Sequence, residues 1–189
     1  MNLPKKTTKD KQWFAVFTRP KAEKKVEERL SKAGFEVFLP LQTVVKQWSD
    51  RKKKMQVPLI NSYVFVQATQ KELLAVYPII GVVSILKYLG TYAVVKDTEI
   101  ENLRILSNNT NLVSTICTRR NRMAKGTKIT VLEGPFKGLH GTYLTHAGKN
   151  MVIIEMETLG TCVEVTLPIQ SLEKNLIKQE NAVVLDGRN

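Results

Sequence analysis

Short apolar runs and one amphipathic stretch organise the first half of the chain. Trp13 to Phe17 and Tyr63 to Val66 are continuous apolar runs, which predict two buried strands. Between them, apolar residues recur every three or four positions from Lys21 to Ala33, a spacing that indicates a helix with one apolar side. Pro20 suits the first turn of this helix, and Gly34 suits its end.

The remaining elements of this half complete one antiparallel sheet. Strands are predicted over 35–47, 55–68, 81–88 and 92–95, a basic loop over 49–54, and helices over 71–77 and 99–106. The resulting order, β-α-β-β-α-β-α, predicts an α+β fold in which helices pack against one antiparallel sheet.

The second half has a different pattern, with short strands separated by glycine turns. These strands are predicted over 128–132, 141–146, 151–157 and 161–167. Several short strands in so few residues favour a small, SH3-like β-barrel. The predicted organisation is a disordered arm over 1–11, a domain over 12–106, a linker over 107–125, a barrel domain over 126–175 and a flexible tail over 176–189.

The positive charge of the chain is confined to one part of it. Residues 1–125 contain 23 Lys and Arg against 10 Asp and Glu, a balance of +13, whereas residues 126–189 contain 6 against 7, a balance of −1. A polyanion close to the first domain explains this asymmetry, and a Lys-rich surface that serves solubility is the alternative.

Neither catalysis nor a bound metal or cofactor is predicted. His140 and His146 have no cysteine or acid at triad or ligand spacing, and no Gly-rich phosphate loop precedes a helix. Cys117 and Cys162 can pair, but reduced thiols of a cytoplasmic monomer are the expected state. A polar N-terminus and the lack of an apolar run of ~20 residues predict neither a secretion signal nor a membrane partner.

The second domain carries a segment that resembles the KOW motif. The segment is Val131-Leu132-Glu133-Gly134-Pro135-Phe136-Lys137-Gly138-Leu139-His140-Gly141. Gly134-Pro135 suits a turn, Phe136 fills the barrel, and Gly138 and Gly141 permit tight backbone geometry. The KOW motif occurs in ribosomal proteins as well as in elongation factors.

The first domain resembles the N-terminal domain of the NusG family of transcription factors. The resemblance rests on Trp13 to Phe17, the basic helix, Phe38-Leu39-Pro40 and the segment 58–66, and it extends over residues 12–175. Asn61-Ser62 stands where housekeeping members have Pro-Gly before the tyrosine. Because of this departure and a short basic segment over 48–55, the domain resembles specialised paralogues, such as RfaH and the UpxY antiterminators of capsule operons, more than housekeeping members.

The resemblance implies docking onto RNA polymerase. In this family an apolar cavity of the first domain binds the clamp helices of the largest polymerase subunit. The matching positions are Phe17, Ile60, Tyr63, Phe65 and Tyr88. Strand alternation puts Tyr63 and Phe65 on one face and Val64 and Val66 on the other, and one of these faces must cover the helices. Plain core residues are the alternative interpretation of the aromatics.

The resemblance also places the basic edge of the first helix near the non-template DNA of the transcription bubble, with nascent RNA as a further partner. The matching positions are Trp13, Arg19, Lys21, Lys24, Lys25 and Arg29. Trp13 is either a stacking surface for single-stranded DNA or a core residue. The lysines either contact phosphates or pair with Glu23, Glu27 and Glu28 on a solvated helix.

Two functions are consistent with these features. The first is an operon-specific transcription elongation and antitermination factor that binds RNA polymerase and suppresses pausing and termination. The resemblance implies that its barrel recruits a small-subunit ribosomal protein or Rho through an apolar surface at Phe136 and Leu159. The alternative is a KOW-type RNA-binding structural protein of the ribosome, which has no need of the first domain.

Overall fold

The computed structural model describes residues 11–47, 51–109, 113–118, 127–132, 134–146, 149–156, 158–166 and 177–179. Contacts divide the chain into two compact units, residues 1–100 and 101–189. The predicted arm, apart from Lys11, lies outside the described residues, and so does most of the predicted tail.

The first unit is built on a five-stranded antiparallel sheet. Its elements are β1 (Gln12–Thr18), α1 (Glu23–Lys32), β2 (Glu36–Phe38), β3 (Leu41–Gln47), β4 (Lys52–Pro58), β5 (Tyr63–Ala68), a 3-10 helix (Glu72–Ala75), β6 (Val82–Ile85), β7 (Lys87–Tyr88), β8 (Thr91–Tyr92), β9 (Val94–Val95) and the start of α2 (Asp97–Asn108). β1 pairs with β5, β6 and β9, and β2 pairs with β5. β3–β4 and β7–β8 form separate two-stranded sheets. The predicted α+β class is confirmed.

Helix α1 packs its apolar side into the core of this unit. Val26 and Leu30 are fully buried in one cluster with Phe14 and Val16 of β1. The helix begins at Glu23 rather than in the turn at Pro20, because Lys21 has a left-handed φ of 64° that no helix accommodates. The predicted apolar spacing is therefore confirmed, whereas the predicted helix start is wrong.

Two predicted long strands are each broken in the structure. The strand predicted over 35–47 is interrupted at Leu39-Pro40, where the Pro40 carbonyl accepts a hydrogen bond from the Leu59 N–H at 2.7 Å. The strand predicted over 55–68 is interrupted at residues 59–62, where Ser62 has a φ of 61°. Lys52 to Lys54, predicted as part of a loop, lie in β4. These breaks separate the β3–β4 hairpin from the main sheet.

The second unit contains a six-stranded antiparallel sheet. Its strands are β10 (Val113–Thr118), β11 (Thr127–Val131), β12 (His140–His146), β13 (Lys149–Met156), β14 (Thr161–Thr166) and β15 (Ile177–Gln179). The strand order is β10-β14-β13-β12-β11-β15. Val152, Ile154, Val163 and Val165 are fully buried on one face of β13 and β14, and Ile153 on the other face is only 2% exposed, so β13 is buried on both faces.

Two segments predicted without secondary structure contribute edge strands to this sheet. β10 lies inside the predicted linker 107–125, and β15 lies inside the predicted tail 176–189. β10 pairs with β14, and β15 pairs with β11, so both satisfy backbone hydrogen bonds of strands that would otherwise be edges. The linker prediction is corrected for residues 113–118, and α2 also extends into the predicted linker as far as Asn108.

The cysteines of the chain differ from the expected reduced state. Cys162 is disulfide-bonded, and no free cysteine is found among the described residues. Its Cα partner across β10 and β14 is Cys117, the other cysteine of the chain. Directly opposed residues of antiparallel strands have the Cα separation that a disulfide requires. Cross-strand register, which the spacing of the cysteines along the chain does not reveal, produces this pairing.

Candidate functional site

The two faces of β5 have different neighbours, as alternation predicts. Val64 and Val66 are fully buried in the core cluster that includes Val26 and Leu30 of α1. Tyr63 and Phe65 therefore lie on the opposite face. The face covered by α1 is thus aliphatic, and the aromatic side chains of β5 point away from that helix.

An aromatic pair forms the accessible part of this second face. The rings of Phe17 and Tyr63 lie opposite each other on β1 and β5, with centroids 5.4 Å apart and planes inclined by 56°. Phe17 is 37% exposed, and Tyr63 is half-buried. Burial raises the pKa of the Tyr63 phenol above its ordinary value. Large rings held at this separation present a rigid apolar surface to a partner.

The other predicted docking positions differ in accessibility. Phe65 is fully buried, with its ring 6.2 Å from that of Phe38, and Ile60 is 5% exposed. Tyr88 is 71% exposed and lies in the β7–β8 hairpin, outside the main sheet. Phe65 and Ile60 are thus too buried to touch a partner, whereas Phe17, Tyr63 and Tyr88 are accessible to one.

A buried carboxylate holds the turn that leads into Tyr63. Glu23, only 4% exposed, accepts a hydrogen bond from the Ser62 N–H at 2.8 Å. The Ser62 carbonyl in turn accepts a hydrogen bond from the Thr18 N–H at 2.9 Å. Ser62 is thereby fixed in the left-handed conformation, which is costly for any residue except glycine. The sequence predicts Glu23 as an acid on a solvated helix surface, whereas the structure buries it. Its position at the start of α1 is the feature of the sequence that points to its role in holding the Ser62 turn.

The basic positions around α1 fall into two groups. Arg19, Lys21, Lys24 and Lys25 are exposed, and none of the four forms an ion pair with another described residue. Arg29 is half-buried, and its guanidinium donates a hydrogen bond to the Ile80 carbonyl. The exposed four are free to meet phosphates, whereas Arg29 ties α1 to the segment before β6.

The acids of α1 do not neutralise this exposed group. Glu28 forms an ion pair with Lys32 at 2.6 Å, and hydrogen bonding to Lys32 lowers the pKa of the Glu28 carboxyl. Partial burial raises the pKa of Glu27, an effect that the nearby charge of Lys24 opposes. The predicted alternative, in which acids pair with the α1 lysines, thus applies to Lys32 and only weakly to Lys24.

Trp13 belongs to the core rather than to the basic surface. Its side chain is 5% exposed, and on β1 it lies opposite Gln67 of β5 and Val95 of β9. A buried indole has no face on which a base can stack. Of the two interpretations of Trp13, the structure therefore supports the core residue.

The KOW segment connects β11 to β12 in the second unit. Phe136 is 1% exposed, and Gly134 and Gly138 have φ values of 82° and 86°. Gly141 has no room for a side chain, because an added Cβ would lie 2.5 Å from Val152 Cγ1. The glycines and the aromatic ring of the KOW segment thus serve the turn and core of this unit, so the expected apolar recruitment surface cannot include the buried Phe136, and Leu159 is half-buried.

Helix α2 is joined to the KOW segment by side-chain amides. Asn102, 5% exposed, donates to the His140 carbonyl at 2.9 Å and accepts from the His140 N–H at 3.0 Å. Asn109 donates to the Pro135 carbonyl at 2.6 Å. The helix predicted over 99–106 lies in the predicted first domain, whereas residues 101–108 of α2 belong to the second compact unit. A pair of hydrogen bonds between one side-chain amide and a distant backbone residue leaves no periodic pattern in the sequence.

Comparison with known proteins agrees with the arrangement of the first unit. Residues 11–104 match the family described as "Transcription termination factor nusG". This chain is a member of the NusG family. The "Transcription termination/antitermination protein NusG" of Rickettsia typhi is 23% identical over 185 residues, which cover 92% of this chain and 95% of the relative.

A solved structure has the same fold at low identity. The structure described as "Domain interaction in Thermotoga maritima NusG" superposes with a TM-score of 0.51 at 19% identity, covering 87% of this chain and 97% of that chain. The family match extends over β1 to α2, the region that was expected to separate a transcription factor from a ribosomal KOW protein. It therefore favours the transcription factor.

Membrane-spanning helices and metal-binding clusters of side chains are both missing from the part of the chain that the structure describes. Within the described ranges, no helix is long and apolar enough to cross a membrane. Among the same residues, no group of three or more His, Cys, Asp or Glu side chains is arranged to hold a metal ion.

Proposed function

We propose that this NusG-family transcription termination/antitermination factor binds the clamp helices of the largest RNA polymerase subunit through the Phe17–Tyr63 surface. The observation that carries the proposal is the pairing of these two rings on the sheet face away from α1, with Phe17 37% exposed. Partly exposed aromatics on a rigid strand pair bury much area on binding and lose little side-chain entropy. Phe65 lies on the same face of β5 as Tyr63, and Tyr88 offers a further exposed aromatic ring in the β7–β8 hairpin.

Binding of this kind suppresses pausing and termination if the factor prefers the active conformation of the polymerase. A ligand shifts a conformational equilibrium only by its difference in affinity for the two states. Asn61-Ser62 before Tyr63, where housekeeping members have Pro-Gly, supports a specialised, operon-specific factor of the capsule or exopolysaccharide type. In this proposal the second unit recruits a small-subunit ribosomal protein or Rho.

Substitution of Tyr63 tests the polymerase contact. Tyr63→Ala is expected to weaken binding to a clamp-helix fragment by about 2 kcal/mol, because it removes a partly buried anchor. Tyr77→Ala is the control, since Tyr77 is a partly exposed tyrosine of the first unit, at 37%, and lies outside the proposed surface. Both variants are first checked for folding by circular dichroism. Equal affinities of wild type and folded Tyr63→Ala would refute the assignment.

The exposed cations beside α1 are proposed to contact the non-template DNA strand. Arg19, Lys21, Lys24 and Lys25 are exposed without ion pairs among the described residues, and Arg29 orients the helix through Ile80. Each phosphate contact with a single strand adds about 0.7 to the salt dependence of binding. Lys24→Gln/Lys25→Gln should therefore flatten the salt dependence of recruitment by about 1.4. The effect should require non-template DNA in the bubble, and equal losses with and without it would indicate a protein contact instead.

A further inference from the structure

The β3–β4 hairpin is a free-standing two-stranded ribbon that carries concentrated positive charge. It pairs with no strand of the main sheet. Residues 41–58 contain five Lys or Arg and a single acid, Asp50. None of the cations of this hairpin belongs to the surface at α1. The hairpin therefore requires its own explanation.

The register of the hairpin distributes the cations over both of its faces. Lys54 lies opposite Val45, and Lys52 lies opposite Gln47, so these residues share one face. Every described side chain of that face from Thr43 to Gln56 is exposed, including Val45 at 58%. Lys53 points to the other face, where it is also exposed.

Within the part of the chain that the structure describes, no acidic group compensates the charges of the three adjacent lysines. Lys52, Lys53 and Lys54 form no ion pair with any described residue. Like charges this close to one another repel, and a nearby anion relieves that repulsion. The charge is thus complementary to a polyanion that has phosphates on two sides of the ribbon.

We propose that the β3–β4 hairpin binds duplex DNA by entering the major groove, with Lys52 and Lys54 facing one phosphate backbone and Lys53 the other. The B-DNA major groove, about 12 Å wide, admits a two-stranded ribbon, whereas that of A-form RNA is too narrow. A single strand has one backbone and cannot engage both faces of the ribbon at once. The inference adds a second nucleic-acid contact to the proposed function and rests on it for the presence of DNA near the factor.

The test measures binding of the full chain to labelled duplex DNA by fluorescence anisotropy over a range of salt. Lys52→Gln/Lys53→Gln/Lys54→Gln should weaken binding at least tenfold and reduce the salt slope by about 2.7, since each B-DNA phosphate contact contributes about 0.9. The matched control is Lys71→Gln/Lys128→Gln/Lys137→Gln, which removes three exposed lysines outside the hairpin. It should change affinity less than threefold. A duplex RNA of the same sequence should bind more weakly and be insensitive to the hairpin substitutions.

Three results would overturn the proposal. Equal losses in the two triple variants would show an effect of net charge alone. An unchanged salt slope in the hairpin variant would show that these lysines do not meet phosphates, and equal dependence of RNA binding on the hairpin would show that the groove geometry is wrong. The proposed polymerase contact fails separately, because Tyr63→Ala should leave duplex binding intact and the hairpin variant should still bind the clamp-helix fragment.

Discussion

The two units of the chain direct their large apolar side chains differently. The first unit leaves several large hydrophobic side chains exposed, among them Phe17, Tyr77 and Tyr88. The motif aromatic of the second unit, Phe136, is 1% exposed, whereas Phe17 and Tyr88 of the first unit are 37% and 71% exposed. Positive charge has the same bias, since residues 1–100 contain 18 Lys and Arg against 9 Asp and Glu, whereas residues 101–189 contain 11 against 8.

This difference separates folding motifs from binding surfaces. The KOW segment is the most regular motif of the sequence, yet its ring and its glycines at 134, 138 and 141 serve a turn and a core. The first unit leaves aromatic and cationic groups outside its core, where partners can reach them. A motif that is easy to recognise thus identifies a fold, and the less regular surface of the other unit is the one for which we propose interactions.

The largest expected effect on stability comes from removing a buried ring of the second unit, compared with removing an exposed ring of the first unit. Phe136→Ala should destabilise the second unit by about 3–5 kcal/mol, because it leaves a cavity in a small core. Tyr88→Ala should change stability by less than about 0.5 kcal/mol, since most of its ring is already in water. Denaturant unfolding of both variants measures the difference. Similar losses in the two variants would remove the distinction between the units.

The disulfide provides a second way to separate the units. Reduction, or Cys162→Ser, should destabilise the second unit by about 3–4 kcal/mol, the loop-closure contribution expected when roughly 45 residues separate the cysteines. The first unit should be unaffected, because both cysteines lie in residues 101–189.

Thermal unfolding with and without dithiothreitol measures this effect, and the Cys162→Ser variant controls for other actions of the reductant. A reductant-dependent change of equal size in Cys162→Ser would show that the disulfide is not its cause. Loss of stability in both units would show that they do not unfold independently.

The smallest expected effect concerns the turn below the aromatic surface. Ser62→Gly should stabilise the first unit by about 1 kcal/mol, because glycine adopts the left-handed φ of 61° without a Cβ penalty. Asn61→Gly is the matched control, since residue 61 has no positive φ and the added freedom of glycine should destabilise. Calorimetry measures both changes. A loss of stability in Ser62→Gly would mean that the serine side chain stabilises the first unit by more than its left-handed backbone conformation destabilises it.

Local periodicity allowed the sequence by itself to determine several features of this protein. The apolar spacing of Val26 and Leu30 determined the buried side of α1, and alternation in β5 separated Val64 and Val66 from Tyr63 and Phe65. The glycine and aromatic pattern of the KOW segment likewise indicated a turn with a buried ring. Each of these features depends on neighbours a few residues apart, whose geometry the backbone repeat dictates.

Only the tertiary structure decided the features that depend on residues distant in sequence. Trp13 is buried by its neighbours on β5 and β9, and Arg29 is engaged by the Ile80 carbonyl. The break at Ser62 is held by Glu23, and Cys162 meets Cys117 because β10 pairs with β14 in one particular register. Periodicity along the chain specifies which face a side chain occupies, but only the packing of separate elements specifies what that face meets.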